Sequence, residues 1–332
     1  MHRAGVIGTG AMGTLCARLL AERGVRTVLY GRSPARVGEL NTDRENRRYL
    51  PGAAFPDGLT VTSDPGECLR DAELIVSAVP CQYTRSVWRT LMDACPTFAA
   101  PVVSVTKGIE VDTLLRPTEI LADVTAGATV VALSGPCLAG EVAAGLPAAV
   151  VVAGTDADAA RLVQEALSTP TLRVYTHHDV IGVELGGAVK NVIAIAAGVC
   201  DGMKLGNNAK ASLMTRGLAE IAALGQAMGA VPATFRGLAG IGDLITTCSS
   251  GLSRNHTAGE KIGRGMPVAE VVATSAGVIE GIETTRSVLQ LAERHAVEMP
   301  ITRAVHAVLF DHVAPRDAIT DLMTRRLGAE FR

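Results

Sequence analysis

The sequence predicts an α/β domain followed by an all-α domain. Three observations carry this reading. Short β-branched runs recur through the first half, a GxGxxG turn follows the first of them, and strand-like runs give way to long helical patterns after about Asp179. Residues 4–7 read as the first strand, 14–22 as a helix and 26–30 as the second strand. Residues 73–79, 102–106 and 129–133 read as further strands. These runs are mostly apolar and do not alternate, as expected of a parallel sheet covered on both faces. Residues 148–153 and 171–175 are expected to extend the same sheet. A helix over 156–168 lies between them, with Ala159, Leu162, Val163, Ala166 and Leu167 on one side. Beyond Asp179, long helices are expected over 180–200 and 209–228, and shorter ones over 287–295 and 319–327. Gly206, Pro232, Gly251, Gly265, Pro267 and Pro300 punctuate them. The division is therefore placed at 1–179 and 180–332. No Ser/Gly-rich tract separates the halves, so an extensive shared interface is expected.

The chain has 332 residues, 48% of them hydrophobic but only 3% aromatic, so its core is built from Ala, Val, Ile and Leu. A net charge of -2 leaves no basic excess for nucleic acid. The 7 cysteines are scattered and form no CxxC, neither a disulfide framework nor a zinc signature. A reducing, cytoplasmic compartment fits. Met1-His2-Arg3 runs straight into the first strand, unlike a signal peptide. The longest apolar stretch, 188–200, contains Lys190 and Asn191 and is too short to insert in a membrane.

Gly8-Thr9-Gly10-Ala11-Met12-Gly13 lies between the first strand and the first helix. In that context it is a Rossmann-like dinucleotide turn. Gly8 permits the tight turn, Gly10 lets a pyrophosphate approach the backbone, and Gly13 lets the helix pack on the strand. The second strand ends in Tyr30-Gly31-Arg32-Ser33, without the carboxylate that holds ribose hydroxyls in NAD-preferring sites. Arg32 suits a 2'-phosphate instead, with Ser33 as a donor. This favours NADP(H) and leaves NAD(H) open. Val79-Pro80-Cys81-Gln82 and Lys107-Gly108 end two more strands on the side where ligands bind such a sheet. Cys81 has no positioned histidine to activate it.

On the helix at 180–200, a 100° projection sets Lys190 on one face with Val183, Gly186, Gly187, Ala194, Ala197 and Asp201. Small neighbours leave room for a flat ring or a small substrate. Burial would lower the lysine pKa and suit it to proton transfer near neutrality. The plainer alternative is a lysine that snorkels to solvent. Asp243 stands among glycines and aliphatics, as a partner for that lysine, an acceptor for a substrate hydroxyl, or a helix cap. Ser253-Arg254-Asn255 joins hydroxyl, guanidinium and amide at a helix start, either a phosphate grip or a plain cap. His177, His178 and Asp179 read as polar turn residues.

These motifs are joined by Asn46-Arg47-Arg48-Tyr49-Leu50-Pro51-Gly52, Ser134-Gly135-Pro136, Glu184-Leu185-Gly186-Gly187-Ala188-Val189-Lys190-Asn191 and Glu280-Gly281. Taken in order, they resemble the NAD(P)-dependent glycerol-3-phosphate dehydrogenases of the bacterial soluble type over nearly the whole chain. The resemblance implies reversible, metal-free hydride transfer between NAD(P)H and dihydroxyacetone phosphate. The product would be sn-glycerol 3-phosphate for glycerophospholipid synthesis. It implies that Lys190 donates and accepts the proton, with Lys107 and Asp243 beside it. Gly135, Cys137, Lys107, Lys190, Asp243, Ser253, Arg254 and Asn255 would contact the substrate. Ala11, Met12, Arg32, Lys107, Ala139, Arg254, Val278 and Glu280 would contact the cofactor.

Three departures stand out. Ala11-Met12 replaces Ser and an aromatic, Cys137-Leu138 replaces Ser-Phe, and Asn207 replaces Asp. A thiol is a poorer donor than a hydroxyl. Rival readings are a hydroxyacid or ketopantoate-type reductase, a paralogue acting on a related phosphate or phosphonate, and a non-catalytic nucleotide sensor. The last predicts loss of Lys190 or Asp243, and both are present. The apolar helical half suggests a homodimer.

Overall fold

The computed structural model describes residues 1–326. Its first part contains β1 (Arg3–Ile7), α1 (Ala11–Glu22), β2 (Arg26–Tyr30), α2 (Pro34–Asp43), β3 (Glu45–Asn46), β4 (Leu50–Ala54) and β5 (Leu59–Thr62). Then come α3 (Pro65–Leu69), β6 (Leu74–Ser77), α4 (Cys81–Ala94), β7 (Val102–Ser104), α5 (Pro117–Val124) and β8 (Val130–Ser134). Next are α6 (Ala139–Ala143), β9 (Ala148–Ala153), α7 (Ala157–Leu167) and β10 (Leu172–His177). The rest is helical: α8 (Val180–Gly202), α9 (Asn207–Ala227), α10 (Asp243–Ser249), α11 (Arg254–Gly263) and α12 (Val268–Ala273). Last are α13 (Glu280–Arg294), α14 (Pro300–Phe310) and α15 (Pro315–Thr324).

Eight strands form one sheet in the order β10-β9-β8-β7-β6-β1-β2-β5. All pairs are parallel except β8 with β9, where Leu133 faces Val152. The chain runs outward from β1 through β2 to β5, then crosses back to β6. The strand order therefore reverses between β1 and β6. That is where a crevice opens beyond the carboxyl ends of the strands. Cores fill both faces of the sheet, one including Leu15, Leu20 and Val163 and the other Trp88, Leu91 and Leu121.

Helix α8 is the spine of the remainder. It is apolar all round, so it is stable only when covered on every side. Helices α9, α10, α11, α13 and α14 pack around it. Asp179 caps it: one oxygen accepts from Gly182 N, and the other from Val231 N and Thr234 Oγ1. Glu184 ties it to α5, accepting from Thr118 N, Thr118 Oγ1 and the Arg116 guanidinium.

Several sequence expectations need correction. Helix α1 starts at Ala11, directly on the glycine turn, and not at residue 14. Helix α13 starts at Glu280, seven residues before the expected 287. The sequence reading passes over β5, where Thr60 and Thr62 break the apolar run, and the β3–β4 hairpin, where β3 spans 2 residues and Pro51 and Gly52 interrupt β4. The helix expected over 319–327 begins earlier, at Pro315, and Leu327 lies outside the described residues. By length and apolar character α8 could cross a membrane, contrary to the reading of a stretch too short to do so. Yet 83% of its most apolar window is buried inside the protein. His177 ends β10, so of the three supposed turn residues it belongs to the sheet.

Candidate active site

The glycine turn is built by close approach. A Cβ on Gly13 would meet Gly8 O at 1.9 Å, so only glycine lets α1 seat on β1. Gly8 itself has φ +113 and lies against Ala78 O. Gly10 differs, since a Cβ there would meet nothing within 4 Å and would project into the open groove. As the first residue of α1's cap it makes no side-chain cap bond, and the first turn holds no acid. An uncapped N-terminus facing open space suits a pyrophosphate. Ala11 and Met12 follow on that first turn, both half-buried. Arg32 is exposed at the end of β2, and the Ser33 hydroxyl caps α2 by accepting from Arg36 N at 3.4 Å.

The residues expected to react come from both halves of the chain. Lys107, just past β7, is half-buried, while Lys190 on α8 and Asp243 at the start of α10 are buried. Lys190 Nζ donates to Asp243 Oδ1 at 2.5 Å and to Thr247 Oγ1 at 2.6 Å. Lys107 Nζ donates to Asp243 Oδ2 at 2.6 Å and to Gly135 O at 2.9 Å. Each ammonium has three N–H bonds, and two of each are used among the described residues. One donor of each lysine is left for a ligand. Two ammonium groups against one carboxylate also leave the site one positive charge in excess, which suits an anionic substrate.

Burial pulls the Lys190 pKa down to about 8, and the Lys107 ammonium pulls the same way. Asp243 opposes them by stabilising the charged form. The snorkelling alternative therefore fails, and Asp243 serves both lysines. Thr247, one turn beyond Asp243, donates its hydroxyl proton to Asp243 O at 2.6 Å and so presents a lone pair to Lys190. Sequence reasoning missed Thr247. Its i,i+4 spacing from Asp243 was the available signal. Gly187, one turn before Lys190, is forced by close approach: a Cβ there would meet Ser134 Oγ at 2.5 Å.

The other expected residues are placed unevenly. Cys137 lies in the cleft with its sulfur 3.9 Å from Met12 Sδ, and burial pushes its thiol up to about 11. Ala139 opens α6 beside it. Cys81 is buried, and its thiol is pushed well above the usual range, so it is no nucleophile. Ser253 is a helix cap, accepting from His256 N at 3.3 Å. Asn255 is committed within the chain, donating to Asn191 Oδ1 and accepting from Gly281 N, both at 2.9 Å. Of the supposed phosphate grip, only Arg254 is exposed; its guanidinium lies beside Gly277. Val278 is half-buried. Glu280 Oε1 accepts from Cys81 N at 3.1 Å, while its buried Oε2 has no partner among the described residues. Burial raises that carboxyl to about 7. Among the described residues no cluster of three His, Cys, Asp or Glu could hold a metal.

A glycine turn that opens α1 and an ammonium pair on one buried carboxylate suit an NAD(P)-dependent oxidoreductase acting on a CH–OH group, and known sequences show that class. They also narrow it. Models of the NAD-dependent glycerol-3-phosphate dehydrogenase N-terminus and C-terminus match residues 3–160 and 179–320. The chain belongs to this family. A glycerol-3-phosphate dehydrogenase [NAD(P)+] of Frankia casuarinae is 48% identical over 100% of this chain and 99% of that one. The crystal structure of glycerol-3-phosphate dehydrogenase from Coxiella burnetii is 36% identical, with a TM-score of 0.94 over 98% of this chain and 99% of that one. A probable 2-dehydropantoate 2-reductase of Bacillus subtilis covers 92% of this chain and 98% of its own, with a TM-score of 0.58 and 13% identity. That likeness is one of fold alone.

Proposed function

We propose that the protein interconverts dihydroxyacetone phosphate and sn-glycerol 3-phosphate in the cytoplasm, with NADP(H) preferred, and so supplies the glycerophospholipid backbone. The observation that carries this reading is the pair of lysines on opposite oxygens of Asp243. The dinucleotide would lie on the glycine turn, with Arg32 at its adenosine end and Ala139, Val278 and Glu280 nearer the cleft. When bound, it supplies or takes the hydride.

In reduction, the substrate carbonyl oxygen accepts the remaining N–H of Lys190 and of Lys107. Both polarise the bond as negative charge gathers on oxygen. The proton then passes from Lys190 Nζ to that oxygen, leaving a neutral amine. Asp243 accepts from both nitrogens and keeps them aimed. Thr247 fixes Lys190 from the other side. Oxidation runs the same path backwards, with neutral Lys190 removing the hydroxyl proton. Arg254 and the amide groups at the start of α11 hold the phosphate. Ser253 and Asn255 shape that helix start more than they touch the ligand. The chain divides between β10 and α8, and two copies form the working unit.

The test follows absorbance at 340 nm with dihydroxyacetone phosphate and with 2-keto acids, first with NADPH and then with NADH. Turnover of the phosphate alone, faster with NADPH, is the expected result. Turnover of a keto acid alone would reject the assignment.

A further inference from the structure

We propose that Asn46 is a positioning residue for the adenosine-ribose end of the cofactor site and that, through it, Arg36 serves as a second cation beside Arg32 for a 2'-phosphate. The inference rests on the NADP(H) reading above and adds to it the residues that set selectivity.

Asn46 is fully buried in the short β3–β4 hairpin, far from the lysine pair. Its side chain joins three segments. Nδ2 donates to Thr9 O of the glycine turn at 2.9 Å and to Thr14 Oγ1 of α1 at 2.7 Å. Oδ1 accepts from Arg36 Nη2 of α2 at 2.6 Å and from Tyr49 N at 3.3 Å. An asparagine amide offers two donors and two acceptor sites, and all four are used. Such a residue has one orientation, and so do the groups that it holds.

The place that it fixes is where a ribose belongs. In a sheet of this topology the adenosine ribose sits between the glycine turn and the carboxyl end of the second strand. Arg36 lies on the first turn of the helix that follows that strand. Its side chain runs back toward the glycine turn and is one amide away from Thr9 O. The guanidinium is not saturated, because Nε is buried and has no partner among the described residues. Nη1 holds Glu39 at 2.7 Å, but that carboxylate is 61% exposed and is readily displaced by a dianion. Arg32 is exposed at the end of the same strand. The end of the second strand thus carries one exposed guanidinium, Arg32, and the helix after it one held by Asn46, Arg36. The strand end itself, Tyr30 to Ser33, carries no acid, and Glu39 is the carboxylate that a phosphate would have to displace.

The test measures binding of 2',5'-ADP and 5'-AMP, and kcat and KM with NADPH and NADH. The proteins are the wild type, Arg36→Ala, Arg36→Lys, Asn46→Ala and the double variant. Arg36→Ala is expected to weaken 2',5'-ADP roughly tenfold or more, as for loss of a charge-assisted bond. It should leave 5'-AMP, NADH and kcat within about twofold of wild type, and Arg36→Lys should recover part of the loss. Asn46→Ala should reduce the preference for 2',5'-ADP over 5'-AMP by a similar factor. Because Asn46 acts through Arg36, the double variant should discriminate no worse than Arg36→Ala alone. If Arg36→Ala keeps the wild-type preference, the proposal is overturned while the NADP(H) reading stands. Equal weakening of both ligands by Asn46→Ala would show a merely structural residue and would also overturn it. Should Asn46→Ala fail to fold, the Arg36 variants decide the matter. A wild type that binds both ligands alike would remove the NADP(H) reading and this inference together.

Discussion

Lys190 and Lys107 meet on one carboxylate: Asp243 gives Oδ1 to the first at 2.5 Å and Oδ2 to the second at 2.6 Å. Neither lysine is placed by its own element alone. Replacing the carboxylate by an amide removes the charge that offsets two ammonium groups. Asp243→Asn is therefore expected to lower kcat at least roughly hundredfold. It should also move the Lys190 titration further below 8, since Asp243 is what holds that pKa up. Steady-state rates across pH check both effects. An unchanged midpoint would contradict the bridging role.

The sign of the pH dependence follows from Lys190. Reduction needs the ammonium and oxidation needs the free amine. With the group titrating near 8, the reduction rate should fall as pH rises through that value, and the oxidation rate should rise. Lys190→Ala should abolish both while nucleotide binding, followed by NADPH fluorescence, stays largely intact. Near-normal turnover in that variant would reject the acid–base assignment.

Thr247→Val removes a lone pair that favours the ammonium and leaves Asp243 O without its donor. Turnover is expected to drop roughly ten- to hundredfold, with the pH midpoint moved downward. Thr247→Ser keeps the hydroxyl and should stay within a few-fold of the wild type. A fully active Val variant beside an impaired Ser variant would show that the methyl, not the hydroxyl, matters.

Cys137 places a weak donor beside the cleft, next to Met12. Cys137→Ser supplies a stronger one and is expected to lower KM for dihydroxyacetone phosphate severalfold, with kcat little changed. A KM that rises instead would mean that the cleft is shaped for the larger sulfur.

Glu280 makes cofactor-free stability depend on pH. Its carboxyl titrates at about 7 when folded, against a reference of 4.5. Between those values the folded protein holds more protons than the unfolded one, so stability falls as pH rises through the window. Glu280→Gln removes this share and should be more stable than the wild type above pH 7, by roughly 1–2 kcal/mol. Glu220, also raised to about 7 by burial, keeps its slope in both proteins. Denaturant titrations at pH 5 and 8 measure the difference.

The glycine turn and Lys190 were legible because their signals are local. One is a fixed spacing between strand and helix, and the other is the single basic residue on an apolar helix. The bridge by Asp243 was only half legible. It spans 53 positions to Lys190 and 136 to Lys107, and no periodicity links residues so far apart. Ser253 and Asn255 read as either cap or grip because both tasks use the same side chains: Ser253 accepts from His256 N, Asn255 bonds Asn191 and Gly281, and a hydroxyl proton and an amide proton are left over among the described residues. Asn46 sat in a recognisable motif, yet its task depends on a hairpin too short to register as strand.

Helix α8 has a cost before the molecule is complete. It leaves the ribosome ahead of α10, α11, α13 and α14, which later cover it. Until residue 310 has been synthesised, the growing polypeptide carries an apolar rod with part of its covering missing. Transiently exposed apolar surface of that kind favours aggregation. The segment that carries Lys190 is thus also the one that most needs its later neighbours.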